Sequence, residues 1–109
     1  MKVNICGIMH NVIEKSQNFG AGSTHFGEID YGKCEIMINE EMDPQVKQET
    51  ICHEILHGML VHIGREDLSA DEQFVTALAN AINQGFTVKD VEEACTILVD
   101  SEGRETILK

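Results

Sequence analysis

Two histidines and a glutamate in one short stretch have the types and spacing needed for metal chemistry. The stretch is His53-Glu54-Ile55-Leu56-His57, an HExxH pattern. In a helix, residues four apart lie on one face about one turn from each other, so both imidazoles can reach one metal ion. Glu54 lies beside them, where a carboxylate can take a proton from a zinc-bound water attacking a carbonyl. The pattern predicts a hydrolytic zinc site, and the alternative is a pair of ordinary surface histidines.

A catalytic zinc ion usually has three protein ligands and a fourth, open position. Glu72 is our first choice for the third ligand, because a short connection through residues 64–68 should return the second helix beside the end of the first. Asp71 is the next choice. In the alternative interpretation, Glu72 is only the N3 acid of a capping box that begins at Ser69.

Other residues near the pattern are weaker candidates. His62 falls about 140° round the helix from His57, which is too far to share its metal ion. Leu60 and Ile63 stand where the metzincin pattern requires glycine and histidine, so that subclass is excluded. Tyr31, the only tyrosine, could donate a hydrogen bond to a transition state, but a packing role is the more common one.

Three further residues have both a chemical and a structural interpretation. His25 follows a glycine-rich loop and could enter a cleft, although a surface or hydrogen-bonded histidine is the more frequent outcome. His10 also lies in the β-rich half of the chain. Cys52 precedes His53, yet it lies about 100° away from it on the helix, on the apolar side. We expect Cys52 to be a small core residue.

Composition and charge narrow the class of protein. The chain has 109 residues, 42% of them hydrophobic, and a formal net charge of −11, as expected for one soluble globular domain. This charge repels phosphates, so neither nucleic acid nor a membrane surface is an expected partner. The cysteines form no CxxC pair, and the first residues lack a signal-peptide pattern. We therefore expect buried, reduced thiols and a cytoplasmic location. The cysteines are Cys6, Cys34, Cys52 and Cys95.

The first part of the chain is predicted to be β-rich and the rest helical. Strand patterns lie around residues 3–13, 26–30 and 34–39, with a glycine-rich loop at 16–25 and a turn at 31–33. Because short connections cannot join parallel neighbours, we expect an antiparallel sheet of two or three strands. The fold class is thus α+β, with this small sheet packed on the helix that carries the site.

Helix signals follow the sheet. Asp43 and Pro44 are typical of a helix start, and the first helix should run to about Ile63 and stop at Gly64. Its expected core face consists of Ile51, Cys52, Ile55, Leu56, Met59 and Ile63. Two further helices are predicted, one from Ser69 to about Gln84 and one from Thr87 through Val99.

With these residues in place, the chain resembles the compact gluzincin-type metallopeptidases, small HExxH proteins often carried by phages and mobile elements of bacteria. The resemblance covers about residues 26–84. It lies in the segments 27–30, 34–38, 47–58, 71–75 and 78–79. It implies one zincin-like metallohydrolase domain over residues 1–109, with zinc held by His53, His57 and Glu72 and with Glu54 as general base. It also implies that strand 34–39 is an edge strand lining the cleft and pairing with an extended peptide.

The expected activity is therefore hydrolysis of a peptide bond in a peptide or protein substrate. One alternative is a non-catalytic binding module in which zinc only ties the two helices together. Such a structural site normally has a fourth protein ligand, and His25 and Cys34 are the candidates. A third possibility is that the fold persists with a pocket too small for any peptide.

Overall fold

The N-terminal part of the chain forms a mixed four-stranded sheet. The computed structural model describes residues 1–16 and 26–91, and the backbone of residues 96–99 and 105–108. The sheet strands are β1 (Lys2–Ile5), β2 (Ile8–Lys15), β3 (Gly27–Asp30) and β4 (Glu35–Asn39). Their spatial order is β1-β2-β4-β3. Two later strands, β5 (Thr96–Val99) and β6 (Glu105–Leu108), pair with each other as a separate antiparallel sheet.

The expectation of a purely antiparallel sheet is wrong. β1 and β2 form a hairpin through Cys6 and Gly7, which both have positive φ (51° and 89°), the conformation that a two-residue hairpin turn requires. β4 pairs antiparallel with β3 but parallel with β2. The cause is that β3 does not pair with β2: the chain passes to the far side of the sheet, and β4 returns between them.

This order also changes which strand lies at the edge. β4, at residues 35–39, has a neighbour on each side, so the predicted edge position of strand 34–39 is wrong. Within the described residues, β3 lies at one edge of the sheet and β1 at the other. Gly27 to Asp30 pair with Ile38 to Glu35 of β4.

Three helices lie within the described residues: α1 (Pro44–His62), α2 (Glu66–Ser69) and α3 (Glu72–Asn83). α1 starts as predicted, with the Asp43 carboxylate accepting the N–H of Gln45 at 2.8 Å, and the chain turns at Gly64, where φ is +83°. In the part of the chain that the structure describes, no helix combines the length and the apolar character needed to cross a membrane.

Two helix predictions need correction. α3 is capped by Asp71, whose carboxylate accepts the N–H of Phe74 at 3.1 Å, so no capping box begins at Ser69. Ser69 is instead the last residue of α2 and is buried. The predicted helix from Thr87 through Val99 is wrong at residues 87–90, which form neither helix nor strand, and at residues 96–99, which form β5. That segment is rich in β-branched residues, which favour strands, and residues 92–95 lie outside the described part.

α1 is buried against two partners, the sheet on one side and α3 on the other. Of the predicted core face, Met59 and Ile63 are 42% and 65% exposed, while Leu60 is buried. A helix between two partners buries a wider arc than a single stripe. The cluster against the sheet contains Val3, Ile5, Ile36, Ile38 and Ile51. The cluster against α3 contains Cys52, Leu56, Leu60, Val75 and Ala79.

The three cysteines in the described part of the chain are free but not uniformly buried. Cys52 is buried as expected, whereas Cys34 is half-buried and Cys6 is exposed. The expectation of a buried thiol is therefore wrong for Cys6, which lies in the β1–β2 turn. Cys95 lies outside the described residues.

A glycine lets α1 approach the sheet closely. A Cβ added at Gly58 would lie 3.1 Å from side-chain atoms of Ile5 and 3.2 Å from Ile29 Cδ1. This contact places the edge strand β3 beside the turn of α1 that carries His57.

Candidate metal centre

Three side chains from two helices converge in front of β3. His53 and His57 of α1 present their Nε2 atoms to each other at 3.1 Å. Glu72, the first residue of α3, places Oε2 3.0 Å from His53 Nε2 and Oε1 2.9 Å from His57 Nε2. Each residue has a ligating atom within 4.8 Å of the others, which makes them a group able to hold a metal ion.

The spacing of these atoms fits a tetrahedral zinc ion. With bonds of about 2.0–2.1 Å to nitrogen and oxygen, two ligands of a tetrahedral ion lie about 3.3 Å apart. The two imidazole nitrogens lie 3.1 Å apart, and each lies 2.9–3.0 Å from a different oxygen of the Glu72 carboxylate. These separations are close to that value. Neutral imidazoles with a carboxylate are also a donor set that zinc accepts. The geometry thus suits an ion bound by three protein ligands on one side.

Packing of α3 against α1 positions Glu72. Val75 and Ala79 are 0% and 1% exposed and lie three and seven residues after Glu72, on the side of α3 that faces α1. The Asp71 cap fixes where the helix begins. Glu72 therefore projects toward His53 and His57, while its own carboxylate remains two-thirds exposed.

Glu54 is a buried acid next to this group. It is only 7% exposed. Burial raises the pKa of Glu54 to about 7, and the negative charges of Glu72 and Glu28 act in the same direction. A carboxyl group with a pKa near neutrality can accept and return a proton at physiological pH.

Ser69 contacts His57 through Nδ1, the ring nitrogen other than the one that faces Glu72. Its Nδ1 lies 3.0 Å from the Ser69 hydroxyl, which is also 3.4 Å from the backbone oxygen of His57. Burial lowers the pKa of His57 below its ordinary value, and His53 acts in the same direction. The Glu72 charge and a hydrogen bond to the Ser69 backbone oppose that shift.

A cavity of about 420 Å³ opens in front of the three ligating side chains. One wall belongs to β3 and the turn after it. Tyr31 lies in that turn, and burial raises the pKa of its phenol, opposed by a hydrogen bond to the Ser69 side chain and assisted by the charge of Glu54. The lining residues are Gly27, Glu28, Ile29, Tyr31, His53, Glu54, His57 and Glu72.

The other sequence candidates do not join the group. Asp71 caps α3. His62 is exposed, and its ring contacts that of His10 with centroids 6.5 Å apart. His10 is buried, with Nδ1 2.9 Å from the Ile8 carbonyl oxygen.

The cysteine candidates lie elsewhere. Cys34 Sγ lies 3.9 Å from the Tyr31 carbonyl oxygen, and Cys52 belongs to the core. His25 lies outside the described residues.

Two residues of the site were missed by sequence reasoning. Ser69 was interpreted as a helix cap, and only the docking of α2 on α1 reveals its contact with His57. Glu28 was noted only as part of a strand, and its position in the cavity wall depends on β3 being the edge strand. No local sequence signal distinguishes either residue.

Comparisons of the chain with protein-family models, with curated proteins and with solved structures found no match.

Proposed function

We propose that this protein is a zinc-dependent hydrolase of the HExxH type, with a peptide bond as its target. The observation that carries the proposal is the convergence of His53 Nε2 and His57 Nε2, 3.1 Å apart, on the Glu72 carboxylate, whose Oε2 and Oε1 lie 3.0 and 2.9 Å from them. The buried carboxyl group of Glu54 beside these three residues is the second element of such a site, a proton acceptor. The resemblance to compact zincin-like metallopeptidases points to the same chemistry.

In this mechanism each residue has a defined task. Zinc, when bound, polarises a carbonyl oxygen and makes water acidic enough to act as a nucleophile near neutral pH. Glu54 takes the proton of the attacking water while the water oxygen adds to the carbonyl carbon. Glu54 then gives that proton to the departing nitrogen as the carbon–nitrogen bond breaks. Tyr31, which lines the cavity, would be the residue to donate a hydrogen bond to the oxygen that gains charge.

The cavity suits an extended peptide segment. Its volume, about 420 Å³, lies within the range of ligand pockets, which speaks against the possibility of a pocket too small for any peptide. β3 forms one wall, and the free side of an edge strand can pair with an extended chain. The acidic lining residues are Glu28, Glu54 and Glu72, and the described lining includes neither lysine nor arginine. We expect neutral or basic peptides to bind better than acidic ones.

The alternative of a non-catalytic, zinc-stabilised module has less support. A structural zinc site is normally closed by four protein ligands. Across residues 1–16 and 26–91, the metal-binding group contains three residues, and Cys34 is not among them. Three ligands beside an open cavity and a buried carboxylate favour the enzyme.

The decisive experiment is replacement of Glu54 by glutamine. The variant should bind one equivalent of zinc, measured by elemental analysis, and should lose cleavage of a mixed peptide library followed by mass spectrometry. Glu49→Gln is the matched control, because Glu49 is an exposed acid on the same helix and does not line the cavity. Undiminished cleavage by Glu54→Gln would reject the mechanism, and failure of the unaltered protein to bind added zinc would reject the metal site itself.

A further inference from the structure

We propose that Ser69 is a positioning residue for the metal centre: its hydroxyl keeps the proton of His57 on Nδ1, so that the Nε2 lone pair faces the ion. This inference rests on the proposed function only in requiring that the centre binds a metal. It assigns a role to a residue that lies on neither of the two ligand-bearing helices.

Burial and contacts single out this serine. Ser69 is 9% exposed and ends α2, the short helix between α1 and α3. Its hydroxyl lies 3.0 Å from His57 Nδ1 and 3.4 Å from the backbone oxygen of His57.

These contacts decide where the His57 proton lies. A serine hydroxyl has one hydrogen to donate and two lone pairs that accept. The His57 carbonyl oxygen can only accept, so it takes the single hydrogen of Ser69. The hydroxyl then serves the imidazole as an acceptor, which requires a hydrogen on Nδ1.

A neutral imidazole with its hydrogen on Nδ1 has its lone pair on Nε2. That is the atom which lies 2.9 Å from Glu72 Oε1 and 3.1 Å from His53 Nε2. Ser69 would therefore select the tautomer that can bind the ion and would hold the ring at the correct rotation. Hydrogen bonds of this kind to a metal-binding histidine are commonly worth a factor of about 10–100 in metal affinity.

The test is zinc affinity, measured by competition with a coloured chelator. Ser69→Ala should bind zinc about 10–100-fold more weakly, whereas Ser69→Thr, which keeps the hydroxyl, should restore most of the affinity. Thr50→Val is the matched control. Thr50 is also buried and bonds through its hydroxyl to a backbone oxygen, that of Val46 at 2.8 Å, but it does not contact His57.

A second measurement needs no variant. Long-range ¹H–¹⁵N correlation spectra of the zinc-loaded protein should show His57 protonated on Nδ1 and coordinated through Nε2. Unchanged affinity in Ser69→Ala, or a His57 proton on Nε2, would overturn the role of Ser69 while leaving the metal site intact. Should Ser69→Ala not fold, the spectrum and Ser69→Thr decide the matter. Absence of zinc binding in the unaltered protein would instead overturn the proposed function.

Discussion

Replacing Glu54 with glutamine should stabilise the metal-free protein above neutral pH. Burial, helped by the charges of Glu72 and Glu28, raises the pKa of Glu54 to about 7 from a reference value of 4.5. Since the folded-state pKa lies above the unfolded one, the folded protein binds more protons between these two values. Stability therefore falls as the pH rises through this window, and the loss is complete above about pH 7. Glutamine carries no charge at any of these pH values, so the Glu54→Gln variant does not lose this stability.

The size of the effect follows from the two pKa values. They differ by 7 − 4.5 = 2.5 units, and each unit corresponds to about 1.4 kcal/mol. The variant should therefore exceed the unaltered protein by about 3 kcal/mol in free energy of unfolding at pH 8. Near pH 4.5 the two should be nearly equal, because the Glu54 carboxyl is then neutral in the folded state.

Urea unfolding in the presence of a chelator, at several pH values from 4.5 to 8, measures this difference. Glu49→Gln, on the exposed side of the same helix, should show no comparable pH-dependent gain. Saturating zinc should shrink the advantage of the Glu54 variant, because a nearby cation favours the ionised carboxylate. The reasoning would be refuted if Glu54→Gln were no more stable than the unaltered protein at pH 8.

Two further predictions concern the edge strand and the metal. A Cβ at Gly27 would lie 2.8 Å from Thr50 Cγ2 and 2.9 Å from the Met37 backbone oxygen, so Gly27→Ala should lower the free energy of unfolding by about 1–3 kcal/mol. Gly85→Ala, with nothing within 4 Å, should change it little, and equal stability of the two variants would contradict the close packing of β3. Zinc at a hundred times its Kd should add about 2.7 kcal/mol, seen as a thermal shift that a chelator reverses. Glu72→Gln should lose most of this gain, and an unshifted melting temperature in the unaltered protein would count against the site.

Local patterns predicted the parts of the site that lie within one helix. The spacing of His53 and His57 places both rings on one face of any helix that contains them, and Asp43-Pro44 marks where that helix starts. The predicted start of the next helix, at Ser69, lies three residues before Glu72, so the sequence already made Glu72 a ligand candidate. In the structure Asp71 rather than Ser69 caps this helix. These features depend on interactions between residues a few positions apart.

The sheet order and the residues around the ligands could not be predicted in this way. Consecutive strands usually pair, which favoured an antiparallel sheet, but here β4 lies between β2 and β3. The turn at Cys6-Gly7 lacks the usual asparagine or aspartate signal of a tight hairpin, so residues 3–13 did not predict two strands. The strand beside the cavity was consequently misassigned.

The sequence by itself determined an HExxH helix, its boundaries and the ligand candidate on the next helix, because helical periodicity and capping are local. Only the tertiary structure decided that β3 forms the wall of the cavity, that Ser69 contacts His57, and that Glu54 titrates near pH 7. Each of these depends on which distant segments pack together. Glu54 is buried and lies near other carboxylates because the sheet and α3 cover α1. The spacing of residues along the chain does not predict either property.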